Sequence, residues 1–354
     1  RRCTVPRGPV DNAPSTGSSV FNGPGALRIE SAATGFTGTF STAGWNFGGS
    51  LSGLVIGKAN NTSGITIAST TSIAGPITIH GGDIAIDSTL TAVSSNINLY
   101  ATGDVTQIAA IAASGLGLHG TGNFTLTDAS NAIASIAGGD SISELGSLSF
   151  VNASTLTIGS VNPTGITSSG DIRIETLVGD LTVSEDIVST KANSVSVVLV
   201  AGKDSGAGTS AGGDIKITDG ATITVEPDSQ ALLYTGSLSG TRGVAETVAA
   251  ASDGLISYGS GRFRYHADET TNFSTSGWTD LTQSGLYAIY REQPTVTVKA
   301  VNDSIVYGEL APTAYTAGFD GRLNGDGEDA FVGSVGWTTV ANGLSSTGLL
   351  IATD

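Results

Sequence analysis

Between Ile65 and Val225 the chain keeps returning to one short pattern: an apolar–polar–apolar triplet, then a turn built from Gly, Asp, Asn or Ser. Ile65-Thr66-Ile67, Ile84-Ala85-Ile86, Leu156-Thr157-Ile158, Leu181-Thr182-Val183 and Ile223-Thr224-Val225 are instances. Side chains alternate faces along a strand, so each triplet sends two aliphatics inward and one polar residue to water. A strand of three residues is not stable alone. Many of them stacked in register, turning the same way, make a parallel β-solenoid.

Corner chemistry fits that architecture. Gly-Asp precedes an aliphatic at Gly82-Asp83-Ile84, Gly103-Asp104-Val105, Gly170-Asp171-Ile172, Gly179-Asp180-Leu181 and Gly213-Asp214-Ile215. Glycine supplies backbone freedom at the corner, and aspartate can accept a neighbouring backbone amide. Comparable triplets recur about 20 residues apart, as from Ile77 to Ile97. About 11 coils stacked at about 4.8 Å predict a rod of roughly 50 Å.

Segment boundaries follow from where this rhythm starts and stops. Residues 1–26 carry Pro6, Pro9, Pro14 and Pro24 among Gly, Ser and Asn, and read as an irregular lead-in. Residues 27–293 read as the solenoid. Its first coils carry Phe36, Phe40, Trp45 and Phe47, which suit either larger core residues or a carbohydrate-stacking platform. The Gly-rich run 202–213 reads as a loop thrown out from one corner, either a passive surface or a binding element. Ala245 to Ala250 could form one helical turn. Residues 254–293 gather Arg262, Phe263, Arg264, Tyr265, Trp278, Tyr287 and Tyr290, and read as an end cap covering the last strand edges. After Pro294 a new strand opens a further β-rich module, 294–354.

Several function classes lose support on composition. The net charge is −16, with no basic stripe to displace counterions, so nucleic-acid binding is not expected. No run of about 18 apolar residues is present, so no membrane insertion is expected. The chain has no Met, even at position 1, and reads as an excised or processed piece. Cys3 is the single cysteine: it suits a free thiol or an intersubunit bridge, and thiolate metal cages are excluded.

The search for chemistry returns little. Acid–base hydrolysis needs two paired carboxylates, but Asp83, Asp104, Asp171 and Asp214 occupy turn positions. His80, His119 and His266 lie far apart, and His80 and His119 each precede a glycine at a strand end. No residue is assigned a catalytic role and no organic cofactor is expected. The nearest approach to a metal site is Asn324, Asp326, Glu328 and Asp329, oxygen ligands in a Gly-rich loop of the kind Ca²⁺ prefers, against which stands a solvated acidic loop. Phe263, Tyr265 and Trp278 form a candidate contact surface. Sequons fall at Asn60, Asn61, Asn123, Asn152, Asn272 and Asn302.

Trp45-Asn46-Phe47-Gly48-Gly49 followed by Leu54-Val55-Ile56-Gly57-Lys58 resembles the coils of filamentous-haemagglutinin-like exoproteins of Gram-negative bacteria. So does Ile73-Ala74-Gly75-Pro76-Ile77 through Gly82-Asp83-Ile84-Ala85-Ile86 to Ile97-Asn98-Leu99-Tyr100. The stretch from Arg262-Phe263-Arg264-Tyr265 to Gln293-Pro294 is similar to the end of such a helix. The tail, with Val306-Tyr307-Gly308, Pro312, Gly318-Phe319 and Asn324-Gly325-Asp326, resembles MBG-type repeats. The resemblance implies an all-β chain: a right-handed parallel β-helix followed by a small MBG-like module. It also implies a non-enzymatic adhesive stalk, secreted across the outer membrane by an outer-membrane partner (two-partner secretion). Its ligand would be a receptor or glycan on a host or neighbouring cell. A self-assembling extracellular filament subunit and a polysaccharide-active β-helix enzyme are the alternatives.

Overall fold

The computed structural model describes residues 19–218, 220–245, 254–273, 281–300 and 317–326. The lead-in 1–18, Cys3, Trp278, Asn302, Glu328, Asp329 and most of the proposed helical turn at 245–250 lie outside them. Among the described residues no helix is present, and none is long and apolar enough to cross a membrane. The chain is an all-β parallel β-helix. One sheet has 13 strands and a second has 11, and every pairing within them is parallel.

Three columns of strands form the walls. The first runs through Ala26–Ile29, Gly53–Ile56, Ile77–Gly81, Leu90–Ala101, Ile111–His119, Ala132–Gly138, Leu156–Ile158, Leu181–Val183 and Ile215–Ile217. The second starts at Phe40–Ser41 and Ile65–Ile67 and continues through Ile84–Ile86 to Val195–Ala201 and Gln230–Thr235. A shorter third face is visible where Thr71–Ile73 pairs with Leu90–Ala92 and these with Ile111–Ala113. Leu90–Ala101 and Ile111–His119 are long because each turns a corner, and the irregularity between Ala92 and Asn96 marks the bend.

Register places like upon like. Leu27, Leu54, Ile77, Ile97, Leu116, Ile136, Ile158, Val183 and Ile217 stack in one continuous file. Across the second wall Ile65, Ile84, Val105, Phe124, Leu148, Ile172 and Val197 do the same. Nearly all of these are fully buried, and each stabilises the fold by about 1.5–3 kcal/mol through transfer from water. The triplets predicted from sequence are the strands, with their central residues partly exposed.

Buried amides fasten the corners. Asn131 is fully buried. Its Oδ1 accepts from Ile111 N (2.8 Å) and Gln107 Nε2 (2.9 Å), and its Nδ2 donates to Leu126 O (3.2 Å) and Val151 O (3.0 Å). One side chain thus joins three successive coils. Asn152 holds Ile133 N and O and turns back to Ser154 and Thr155. Asn61 donates to His80 O (2.8 Å) and accepts from Phe36 N (3.0 Å). The sequons at Asn61 and Asn152 therefore place their amides inside the wall, closed to modification.

At the Gly-Asp corners Asp83, Asp180 and Asp214 accept backbone amides as predicted, whereas Asp104 accepts from a side-chain amide and Asp171 pairs with Lys191. Asp83 Oδ1 accepts from Asp104 N (2.9 Å) and Asp104 Oδ1 from Asn123 Nδ2 (2.9 Å), while Asn123 Oδ1 accepts from Ser147 Oγ (2.9 Å). Asp180 Oδ1 likewise accepts from Asp214 N (2.9 Å).

The end of the rod breaks sequence order. Gly285–Tyr290 pairs on one side with Gln230–Thr235 and on the other with Phe263–Arg264, so the earlier Phe263–Arg264 is outermost. Beyond it, Thr297–Ala300 and Ala317–Asp320 form a separate antiparallel pair.

Replacing the Asn131 amide by a hydrocarbon, Asn131→Leu, strands several buried backbone groups, and stability should fall by about 2–4 kcal/mol. Thr125→Ala, on the outer face, should stay within about 0.5 kcal/mol. Urea midpoints of the two variants against the parent check this.

Candidate functional site

Phe263 and Tyr265, two of the three residues proposed as a contact surface, turn inward; the third, Trp278, lies outside the described residues. Phe263 is 2% exposed and Tyr265 7% exposed: Phe263 lies in the last rung of the second wall, Phe263–Arg264, and Tyr265 directly follows it. Tyr265 stacks on Tyr290 (5.5 Å between centroids), and Arg262 and Arg264 lie over the Tyr287 ring at 5.8 and 5.7 Å. This corrects the contact-surface reading of Phe263 and Tyr265, whose rings fill the end of the rod as an end cap would.

Asn324 and Asp326, read as cation ligands, meet the same ring. Tyr265 Oη donates to Asp326 Oδ2 (2.7 Å), Asn324 Nδ2 donates to Tyr265 Oη (3.0 Å), and Gly259 N donates to Asn324 O (2.7 Å). Burial and the Asp326 carboxylate push the Tyr265 phenol pKa far up, so it stays a neutral donor. Among the described residues no cluster of three or more His, Cys, Asp or Glu side chains could hold a metal. The loop tip is a joint between the rod and the following segment.

Nor does the loop 202–213 project freely. Arg291, 1% exposed, reaches Ala201 O (2.6 Å) with Nη1 and Ala211 O (3.2 Å) and Gly213 O (2.8 Å) with Nη2. Gly208 N donates to Arg291 O (2.8 Å) and Ala207 N to Asp268 Oδ2 (2.8 Å). Nearby, Glu175 is buried between Arg173 and Lys203, and Arg173 also binds Glu269 (2.5 Å). Carbonyls and carboxylates compensate these cations, as buried charge requires. The loop is a strap held against the end of the rod.

The surface that sequence reading did not assemble lies in the first wall. His80, Tyr100 and His119 occupy one outward position in three successive coils, through the pairs Tyr100↔His80 and Tyr100↔His119. Their rings stack at 4.4 Å (27° apart) and 4.0 Å (5° apart). All three are half-buried. The spacing was available: each residue follows its coil's second core aliphatic, Ile79, Leu99 and Leu118, about one coil apart.

The file stops at glycine on both sides. Gly57 follows the Ile56↔Ile79 pair and Gly139 follows Leu118↔Gly138. Both have positive φ (82° and 64°), and a Cβ at Gly57 would stand 2.2 Å from His80 O. Beside the rings runs a groove of about 290 Å³, lined by Ala101, Thr102, Gly120, Asp140 and Ser143 among others.

Its electrostatics are neutral on one wall and negative at one end. Burial lowers the His80 pKa, helped by Arg28 and opposed by Glu30. Burial also lowers the His119 pKa, against the pull of the Asn162 carbonyl and the Asp140 charge. Amides of Ile142 and Ser143, each 2.8 Å from Asp140 Oδ1, hold that carboxyl below its usual range. At neutral pH the wall is therefore two neutral imidazoles around a phenol.

Comparison with known proteins returns no match: no family model, no curated protein and no solved structure aligns with the chain.

Two outcomes follow. Because folding lowers both histidine pKa values below 6.5, the unfolded chain takes up protons first on acidification. Stability should be complete above about pH 6.5 and decline as pH falls from there through the lowered values. Tm measured across this range should slope less steeply in the His80→Gln/His119→Gln double variant. Separately, Tyr265→Phe should speed amide exchange of Gly318 to Asp326 while leaving Ile65 to Val197 unchanged, read by hydrogen–deuterium exchange.

Proposed function

We propose that this chain is a rigid adhesive stalk segment of a large secreted surface protein of the filamentous-haemagglutinin-like type. It would be exported across the outer membrane with a dedicated secretion partner, and would act without catalysis. The observation that carries the reading is the unbroken parallel ladder, whose aliphatic files run through coil after coil. A core that is continuous along one axis makes a stiff object, because bending it would open backbone hydrogen bonds and core contacts together.

Further support comes from the corners and the end. The acids best placed by sequence to act as paired carboxylates are committed to joining coils: Asp83, Asp104 and Asp214 accept hydrogen bonds from the next coil, and Asp171 pairs with Lys191 (2.6 Å). The −16 charge keeps rods apart and soluble. The C-terminal coil is strapped shut, which suits a stalk that hands over to a different module.

Negative-stain imaging with small-angle scattering tests this. The expected result is a monomeric rod, about 50 Å along the helical part. A polymer with a fixed axial repeat would establish a filament subunit instead, and release of reducing ends from a polysaccharide panel would establish an enzyme.

A further inference from the structure

We propose that the groove beside His80, Tyr100 and His119 binds a linear, uncharged glycan lying parallel to the rod axis. The proposal rests on the adhesive reading above and gives it a place and a ligand class.

Direction is the first reason. The groove crosses successive coils, from the bend at Gly81 through Ala101 and Gly120 to Asp140. A ligand filling it must be elongated and must meet a repeat set by the stacked strands. The stacked strands repeat about every 4.8 Å along the axis, so an elongated chain of rings lying in the groove crosses one coil after another.

Chemistry is the second. Neutral imidazoles each offer one donor and one acceptor, and the hydroxyls of Tyr100, Thr102 and Ser143 can do either. That mixture suits sugar hydroxyls, which also do both. Gly57 and Gly139 end the ring file without a side chain, so no side chain at those positions covers the outer faces of His80 and His119.

Charge is the third. No lysine or arginine lines the groove; Arg28, which acts on His80 from beyond its end, is paired with Glu30, and Lys58, at the same corner one coil earlier, donates to Ala33 O. Asp140 is exposed and anionic at the far end. A sulfated or uronate chain would meet that carboxylate without a compensating cation, so the site discriminates against anionic glycans.

Isothermal titration of the whole chain tests the assignment. The probes are neutral linear hexasaccharides of glucose, mannose and N-acetylglucosamine, with a hexagalacturonate and a heparin-derived hexasaccharide as anionic arms. At least one neutral probe should bind and shift the His80 and His119 ring resonances by NMR, and the anionic probes should bind at least about tenfold more weakly. Tyr100→Ala should weaken the neutral probe at least about tenfold, Tyr100→Phe less, and Val93→Ala on another face not at all. Circular dichroism checks that each variant keeps the parent fold. The proposal is overturned by absence of binding for all three neutral probes, by tighter anionic binding, or by binding that leaves the ring resonances and the Tyr100→Ala affinity unchanged. In that last case glycan adhesion survives and only the site falls. Rods seen by imaging without any glycan binding would leave the stalk reading standing alone.

Discussion

Everything in this fold depends on parallel backbone hydrogen bonding between coils that are each too small to fold alone. A three-residue strand such as Leu181–Val183 has no stability of its own; it exists because Leu156–Ile158 and Ile215–Ile217 pair with it on either side. From that mutual dependence comes the stacking of like on like. A file of Ile, Leu and Val keeps the coil cross-section constant, and a constant cross-section lets the next coil pair in register. Longer excursions are tolerated only at corners, where they leave both neighbouring strands in place.

Polar groups are arranged by the same rule. Where a corner leaves amides and carbonyls unpaired, a buried Asn closes them, as at Asn61, Asn131 and Asn152. Where the corner is at the surface, an Asp reaches the next coil's amide, as Asp83 and Asp180 do. Side-chain hydrogen bonds therefore run along the rod axis together with the backbone ladder, so the corners are fastened as firmly as the walls.

Much of this was legible in the residues. Triplet alternation fixes which side chains face inward, and Gly-Asp marks corners, because both follow from local geometry. The ring file was legible too, since His80, Tyr100 and His119 share a phase within their coils, but it required reading down the repeat as well as along the chain. Other features could not be read this way. Arg291 and Glu175 are buried although their type favours water, and apart from Arg173 beside Glu175 the partners that compensate them come from segments far away in sequence. Phe263 and Tyr265 read as an end cap, but their composition also allowed a contact patch. Only the long return from Thr235 to Gly285, which has no period, decides between them.

That return has a consequence for how the molecule comes into being. A chain delivered from its N-terminus can lay down coil upon coil up to Gln230–Thr235, each new strand finding a ready edge. The next strand to arrive, Phe263–Arg264, has no edge to join, since its partner is Gly285–Tyr290, which has yet to appear. The first wall can still gain Arg242 on Lys216 and Ile256 on Ala245, but on the second wall Phe263–Arg264 finds its place only once Gly285–Tyr290 is present. The second wall thus closes out of chain order, its outermost rung settling only after the strand beneath it has arrived.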